Sequence, residues 1–172
     1  FVEPVERSPE SPEGGAPTTP VRLVALGIDG VIRRDRIPEG LAHACRAAQA
    51  TECAIVLVTA RPPRSAAALA DALGVVGPIA CYGGAAIWNP VDDVAQYHEP
   101  LDPATAAEVI AVARGADPSV LVGLEVLDCW YTDIVSPELP DGDAALQPDG
   151  VGPLDTFLDD PVSPVSYTHL RA

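Results

Sequence analysis

The sequence has no methionine and no lysine; all ten of its basic residues are arginines, and none lies between Arg114 and Arg171. Against 25 Asp and Glu this leaves a net charge of -15, which repels phosphate backbones and anionic lipid alike. Neither a nucleic-acid nor a membrane-surface partner is expected. No apolar run reaches the roughly 18 residues that a helical membrane span needs. The four cysteines, Cys45, Cys53, Cys81 and Cys129, form no C-x-x-C pair and sit in apolar segments. They read as buried free thiols of a reducing compartment rather than as disulfides or a zinc site, so a cytoplasmic location is expected. With no Met and with Phe at position 1, the chain is expected to be a piece of a longer one.

What is present is an apolar fraction near half, enough for one modest domain or one and a half. The chain is organised around Val21 to Ile32, VRLVALGIDGVI. Val21 to Leu26 lacks polar alternation, which predicts a central strand of a parallel sheet covered on both faces. Gly27 to Gly30 then falls at its C-terminal end, the edge where open α/β sheets bind ligands.

Around this strand the order of elements is regular. Pro38 to Ala50 is predicted as a helix with Leu41, Ala44, Cys45 and Ala48 on one stripe. Ala54 to Val58 is a second strand ending in Thr59-Ala60-Arg61. A second helix starts at Pro62-Pro63, buries Ala66, Leu69, Ala70 and Leu73, and stops at Gly74. Ile79 to Tyr82 is a third strand that runs into Gly83-Gly84. This βαβαβ order predicts a parallel sheet with all three polar strand ends on one edge. Beyond it, Ala86 to Trp88 and Val94 to His98 predict a hairpin, and Asp102-Pro103 starts a helix that stops at Gly115. Val120 to Leu127 and Trp130 to Asp133 predict two more strands.

The expected organisation is a disordered Pro/Glu-rich leader over 1–20, a core over 21–88, a second α+β unit over 89–135, an irregular acidic segment over 136–165 and a tail over 166–172. That tail, SYTHLRA, resembles a translated adapter scar and is set aside as non-native.

LVALGIDGVI, then VLVTARP, then GPIACYGGAAIW resembles the haloacid dehalogenase superfamily of phosphohydrolases, in its Cof-like sugar-phosphatase branch. The resemblance covers about Val21 to Asp133. It implies an α/β fold: the N-terminal part of a Rossmannoid parallel sheet followed by an incomplete α+β cap. It also implies Mg²⁺ as cofactor, an aspartyl-phosphate route, and a small phosphorylated metabolite such as a sugar phosphate as substrate.

Carried over position by position, the resemblance makes Asp29 the general acid/base, with a backbone carbonyl near the metal. A turn residue stabilising the loop before Gly30 is the structural alternative. The preceding nucleophile position is Gly27, which has no side chain to attack phosphorus, and Val31 brings no hydroxyl where the family has Thr. Thr59 matches the phosphate-binding hydroxyl of the second motif, or is a β-branched strand end. Arg61 contacts an anion or pairs at the surface. Gly83 stands where Asn is usual, and Gly84 allows close backbone approach to a phosphate, although a hinge suits the pair better. The third motif's lysine is missing, and Asp159-Asp160 after Thr156 to Leu158 lacks the preceding strand that a metal-holding pair would need.

His43, His98 and His169 have no partner at metal-ligand spacing. Trp88, Trp130 and Tyr131 read as cap core. The expectation is a phosphatase-family chain that is inactive as it stands, with a pseudoenzyme that binds a phosphorylated ligand or a protein as the alternative.

Overall fold

A computed structural model describes residues 20–30, 32, 37–134, 147–159 and 162–168. The predicted leader up to residue 19, Val31 and the basic turn 33–36 lie outside them, as do 135–146 and 160–161, Asp160 included, in and beside the segment predicted to be irregular, and 169–172 of the predicted tail, His169 included.

The described residues form two sheets. The first has the strand order β1-β2-β3-β4-β5, from β1 (Leu23–Gly27), β2 (Ala54–Val58), β3 (Ile79–Cys81), β4 (Ala86–Asn89) and β5 (Val94–His98). β1, β2 and β3 are parallel, and the β4–β5 hairpin continues the sheet antiparallel to β3. That hairpin therefore belongs to the first sheet, and the expected boundary at 88/89 runs through it.

Between the strands lie α1 (Leu41–Gln49) and α2 (Pro63–Leu73). α1 starts at Leu41, not Pro38, because Gly40 takes a left-handed conformation (φ 81°) that turns the chain into the helix. Ala44, predicted on its apolar stripe, is exposed. α2 agrees with the sequence reading: Pro63 occupies the first turn, Ala66, Leu69, Ala70 and Leu73 are buried, and Gly74 closes the helix at φ 66°.

β1 was expected at the centre of the sheet; it lies at the edge, with Leu23 and Val24 exposed. The reason is topological. Strands added in one direction through crossovers of one hand put successive helices on the same face, and α1 and α2 do pack against each other. Ile55 and Leu57 of β2 point into the buried cluster with Ile28, Ile32, Cys45, Ala66 and Leu69, while Val56 and Val58 on the opposite face are only half-buried.

The α2–β3 turn is fixed by close approach. Gln49 at the end of α1 accepts a hydrogen bond from Val76 N–H (2.8 Å) and donates one to the Gly74 carbonyl (2.8 Å). A Cβ on Gly77 would stand 2.7 Å from the Ile55 carbonyl oxygen. Gly77→Ala is therefore expected to cost about 2 kcal/mol and lower the thermal midpoint by roughly 4–8 °C, read by circular dichroism.

The second sheet, ordered β8-β7-β6-β9, contains β6 (Leu121–Val126), β7 (Cys129–Thr132), β8 (Gly150–Val151) and β9 (Val165–Thr168). α3 (Pro103–Ala116) begins at an Asp102 cap whose Oδ1 accepts from Thr105 N–H at 3.0 Å, and it runs one residue past the expected stop at Gly115. Ala106, Val120, Val122, Leu124, Leu154 and Val162 form its core.

Two expectations are corrected here. The segment read as irregular contributes β8, a 3₁₀ turn over Leu154–Phe157 and the buried Val162. The first three residues of the segment set aside as a tail, 166–168, enter the sheet with Val165 as β9, antiparallel to β6. At two and four residues these strands are too short to announce themselves and are held by pairing with β7 and β6; the 3₁₀ turn is anchored on β7 by the Tyr131–Phe157 stack, with centroids 4.5 Å apart.

Candidate active site at the strand ends

The parallel register of β1 and β2 pairs Gly27 with Val58, so the residues just beyond them meet. Asp29 follows the tightly buried Ile28, which fixes the turn. Its Oδ1 accepts from the Thr59 hydroxyl at 2.8 Å and its Oδ2 from the Ala60 N–H at 2.6 Å. Arg61 Nε lies 3.3 Å from Oδ1, and the same guanidinium donates to the Ile32 carbonyl at 3.1 Å. Thr59, 2 % exposed, also accepts from Arg61 N–H at 3.1 Å. Partial burial pushes the Asp29 carboxyl upward, but the Ala60 and Thr59 hydrogen bonds and the Arg61 charge outweigh it, so it is held below the usual carboxylate range.

The structure thus brings together Asp29, Thr59 and Arg61. It adds a donor that side-chain reasoning missed, the Ala60 N–H, a backbone group that any residue at position 60 except proline would supply. Chemically this is an anion seat of three donors, and the chain's own carboxylate fills it. A carboxylate held ionised in this way is a proton acceptor, not a general acid, until it leaves the seat.

Gly84 is not drawn into that seat. Gly83 N–H donates to the Thr59 carbonyl at 2.9 Å, and Tyr82, Gly83 and Gly84 take left-handed φ values of 55°, 68° and 106°. The double glycine is a bend between the third strand and the hairpin. A Cβ at Gly27 would meet no atom within 4 Å, so the absent carboxylate leaves room rather than a clash.

The donor set does not fit Mg²⁺. Gly27 offers no side-chain oxygen, the Asp29 carboxylate is committed to three donors, and among the described residues no group of three His, Cys, Asp or Glu could hold a metal. Asp159 is exposed after a 3₁₀ turn rather than a strand.

The remaining candidates lie away from this seat. His43 is exposed; His98 Nε2 is 2.8 Å from the buried Ser163 hydroxyl. Trp88 belongs to the first sheet's core rather than to a cap. Cys45, Cys53 and Cys81 are buried free thiols as expected, whereas Cys129 is exposed.

A sequence profile of the haloacid dehalogenase-like hydrolases matches residues 24–138, two thirds of the chain. The chain belongs to this family. Its fold is similar to a haloacid dehalogenase-like hydrolase from Bacillus subtilis, with TM-score 0.58 and 21% identity, covering 69% of this chain and 41% of that one. It is also similar to a member of the superfamily from Bacteroides thetaiotaomicron, described in a study of its phosphatases, with TM-score 0.62 and 14% identity, covering 87% and 56%. A protein from Thermotoga maritima gives TM-score 0.61 and 17% identity, covering 83% and 54%. The chain spans about half the length of the solved structures it matches. No curated protein sequence matches it. Among the described residues no helix is long and apolar enough to cross a membrane.

Proposed function

We propose that this member of the haloacid dehalogenase-like hydrolases is built for phosphoric monoesters of small cytoplasmic metabolites, sugar phosphates among them, and that the chain as it stands does not cleave them. The observation that carries the reading is the meeting of Asp29, Thr59, Ala60 N–H and Arg61 beside a glycine at the position where the resemblance puts the nucleophile. Hydrolysis through an aspartyl phosphate needs a carboxylate oxygen to bond phosphorus while the ester oxygen leaves with a proton. Gly27 cannot form that bond, and loss of a nucleophile costs on the order of a million-fold in rate. Lysine, the usual point charge for the transferring group, is absent from the whole sequence. Mg²⁺, which the family resemblance implies, has no donor set here, so no step is assigned to it.

The ester's phosphate would compete with Asp29 for the three donors. Two measurements test this: phosphate release from a panel of sugar phosphates with Mg²⁺ in the buffer, and glucose 6-phosphate binding by calorimetry to the chain and to Asp29→Asn. The expected result is release no faster than the protein-free blank, with the Asp29→Asn variant binding about tenfold tighter because the competing charge is gone. Turnover by the unaltered chain would overturn the loss of catalysis. Binding by neither form would overturn the ligand class.

A further inference from the structure

The two sheets are joined by a cluster of ionisable groups away from the strand-end seat. Tyr82, in the bend after β3, sends its hydroxyl to the β6–β7 turn, where it donates to the Leu127 carbonyl and lies 3.3 Å from Glu125 Oε2. Leu127 is in the left-handed region (φ 52°), a strained place for a branched side chain in a two-residue hairpin turn, and this contact helps to hold it. From α2, Arg64 N–H donates to Asp128 Oδ1 at 2.6 Å, and its guanidinium reaches Asp149 at 2.6 Å and Asp128 at 3.6 Å.

Counting protons across the joint gives an assignment that distances alone do not. The Tyr82 hydroxyl has one proton, and the Leu127 carbonyl, which has none to give, takes it. The contact between Tyr82 Oη and Glu125 Oε2 then sets two oxygens with no hydrogen between them, unless Glu125 supplies one. A carboxylic acid at Glu125 completes the chain Glu125 to Tyr82 to Leu127; a carboxylate is met only by drawing the Tyr82 hydroxyl off the Leu127 carbonyl, and it puts a third negative charge beside one Arg64.

We propose that Glu125 and Tyr82 form a proton-dependent latch between the first and second sheets, closed while Glu125 is a carboxylic acid donating to Tyr82 Oη and loosened when that proton is lost. The groups facing Glu125 are Arg64 from α2, Tyr82 from the bend, Asp128 from the hairpin turn and Asp149 ahead of β8; Cys81, Asp93 and His98 stand around them. Burial pushes the Glu125 carboxyl up, Arg64 and Tyr82 pull it down, Asp128 and Asp149 push it up again, and it settles at about 7 against an ordinary 4.5. Burial and the same carboxylates raise Tyr82, so it stays a phenol. Cys81 is pushed up to about 12 and stays a thiol; burial lowers His98 from its ordinary value against the opposing pull of Glu99.

The sign follows. A carboxyl whose pKa is raised in the closed state stabilises that state below pH 4.5, and the stabilisation is lost as pH climbs through about 7. Between about pH 5.5 and about pH 8.5 the opening equilibrium should rise roughly 30-fold, given an ordinary carboxyl in the open state.

The test is hydrogen exchange of the 79–88 and 121–132 segments across that range, corrected for intrinsic rates, on the full chain and on Glu125→Gln. Gln keeps an N–H donor for Tyr82 and cannot titrate. The unaltered chain should lose protection in both segments together as pH rises, while the Gln variant should keep it. Equal pH dependence in the two, or none in the unaltered chain, overturns the latch. The side-chain carboxyl carbon of Glu125, followed by NMR in the unaltered chain, settles the matter if the variant does not fold: titration near 7 supports the latch, and titration near 4.5 overturns it.

Discussion

Leu57→Ala is expected to cost about 3–4 kcal/mol and to lower the thermal midpoint by roughly 10 °C. Leu57 is fully buried in β2, between Leu26 of β1 and Ile79 of β3, and its side chain faces the helix layer with Ile55, Cys45, Ala66 and Leu69. Removing the branched end of the side chain there leaves a hole bounded by paired backbone on both edges, and a hydrogen-bonded ladder cannot move in to fill it. The outer face of the same sheet is covered only in part, with Leu23 of β1 exposed and Val56 and Val58 of β2 half-buried, so it offers little to compensate. Single domains hold only about 5–15 kcal/mol in reserve, so this one change removes a large part of it. Thermal melts followed by far-ultraviolet circular dichroism give the shift; Val112→Ala, at an α3 position 73% exposed, is the matched control and should leave the midpoint nearly unchanged.

The first sheet and its helices were legible because their signals are local. Pro63 and Gly74 bracket α2, and the stripe Ala66, Leu69, Ala70, Leu73 repeats with the helical period between them. The run Val21 to Leu26 does hold a strand, which starts two residues later at Leu23 and lies at the edge rather than the centre. Two apolar faces say that a strand can be covered twice, but whether it is depends on which side later strands join, and that is not written in the strand. The second sheet was half legible: β6 and β7 carry β-branched and aromatic residues, whereas β8, Gly150–Val151, is two residues long and is held through its pairing with β7.

At the candidate site, Asp29, Thr59 and Arg61 were readable as motif positions. That Asp29 sits in the anion seat itself was not, because the Ala60 N–H has no sequence signature. Glu125, Tyr82, Arg64, Asp128 and Asp149 come from four separate stretches of chain, so nothing in their spacing announces that they meet.

Arg64→Leu is expected to destabilise the chain by about 2–3 kcal/mol at pH 8 and by less than about 1 kcal/mol at pH 5. The guanidinium is 15% exposed and is shared by Asp128 and Asp149, with Glu125 close by. Without it, three carboxylates face one another in a half-buried joint, and Asp128 keeps only the Arg64 backbone N–H. The upper range for a broken buried pair is discounted because Asp128 and Asp149 are 32% and 41% exposed and partly screened by water. Leucine fills the space of the aliphatic stem, so the loss is one of charge rather than of packing. Glu125 and Asp128, already raised, then lose the charge that pulls them down, and Asp149 loses one of the contacts that hold it low, so stability is retained at low pH and lost as pH rises, the same direction as the Glu125 latch and additional to it. Urea unfolding at the two pH values reads the difference. A cost independent of pH would mean that Arg64 acts through its stem and that the joint's charges are compensated by solvent. A cost that grows with pH and is partly relieved by Glu125→Gln in the same chain would place Arg64 and Glu125 in one electrostatic unit, with Arg64 setting how many carboxylates the joint can hold ionised and Glu125 being the first to give way.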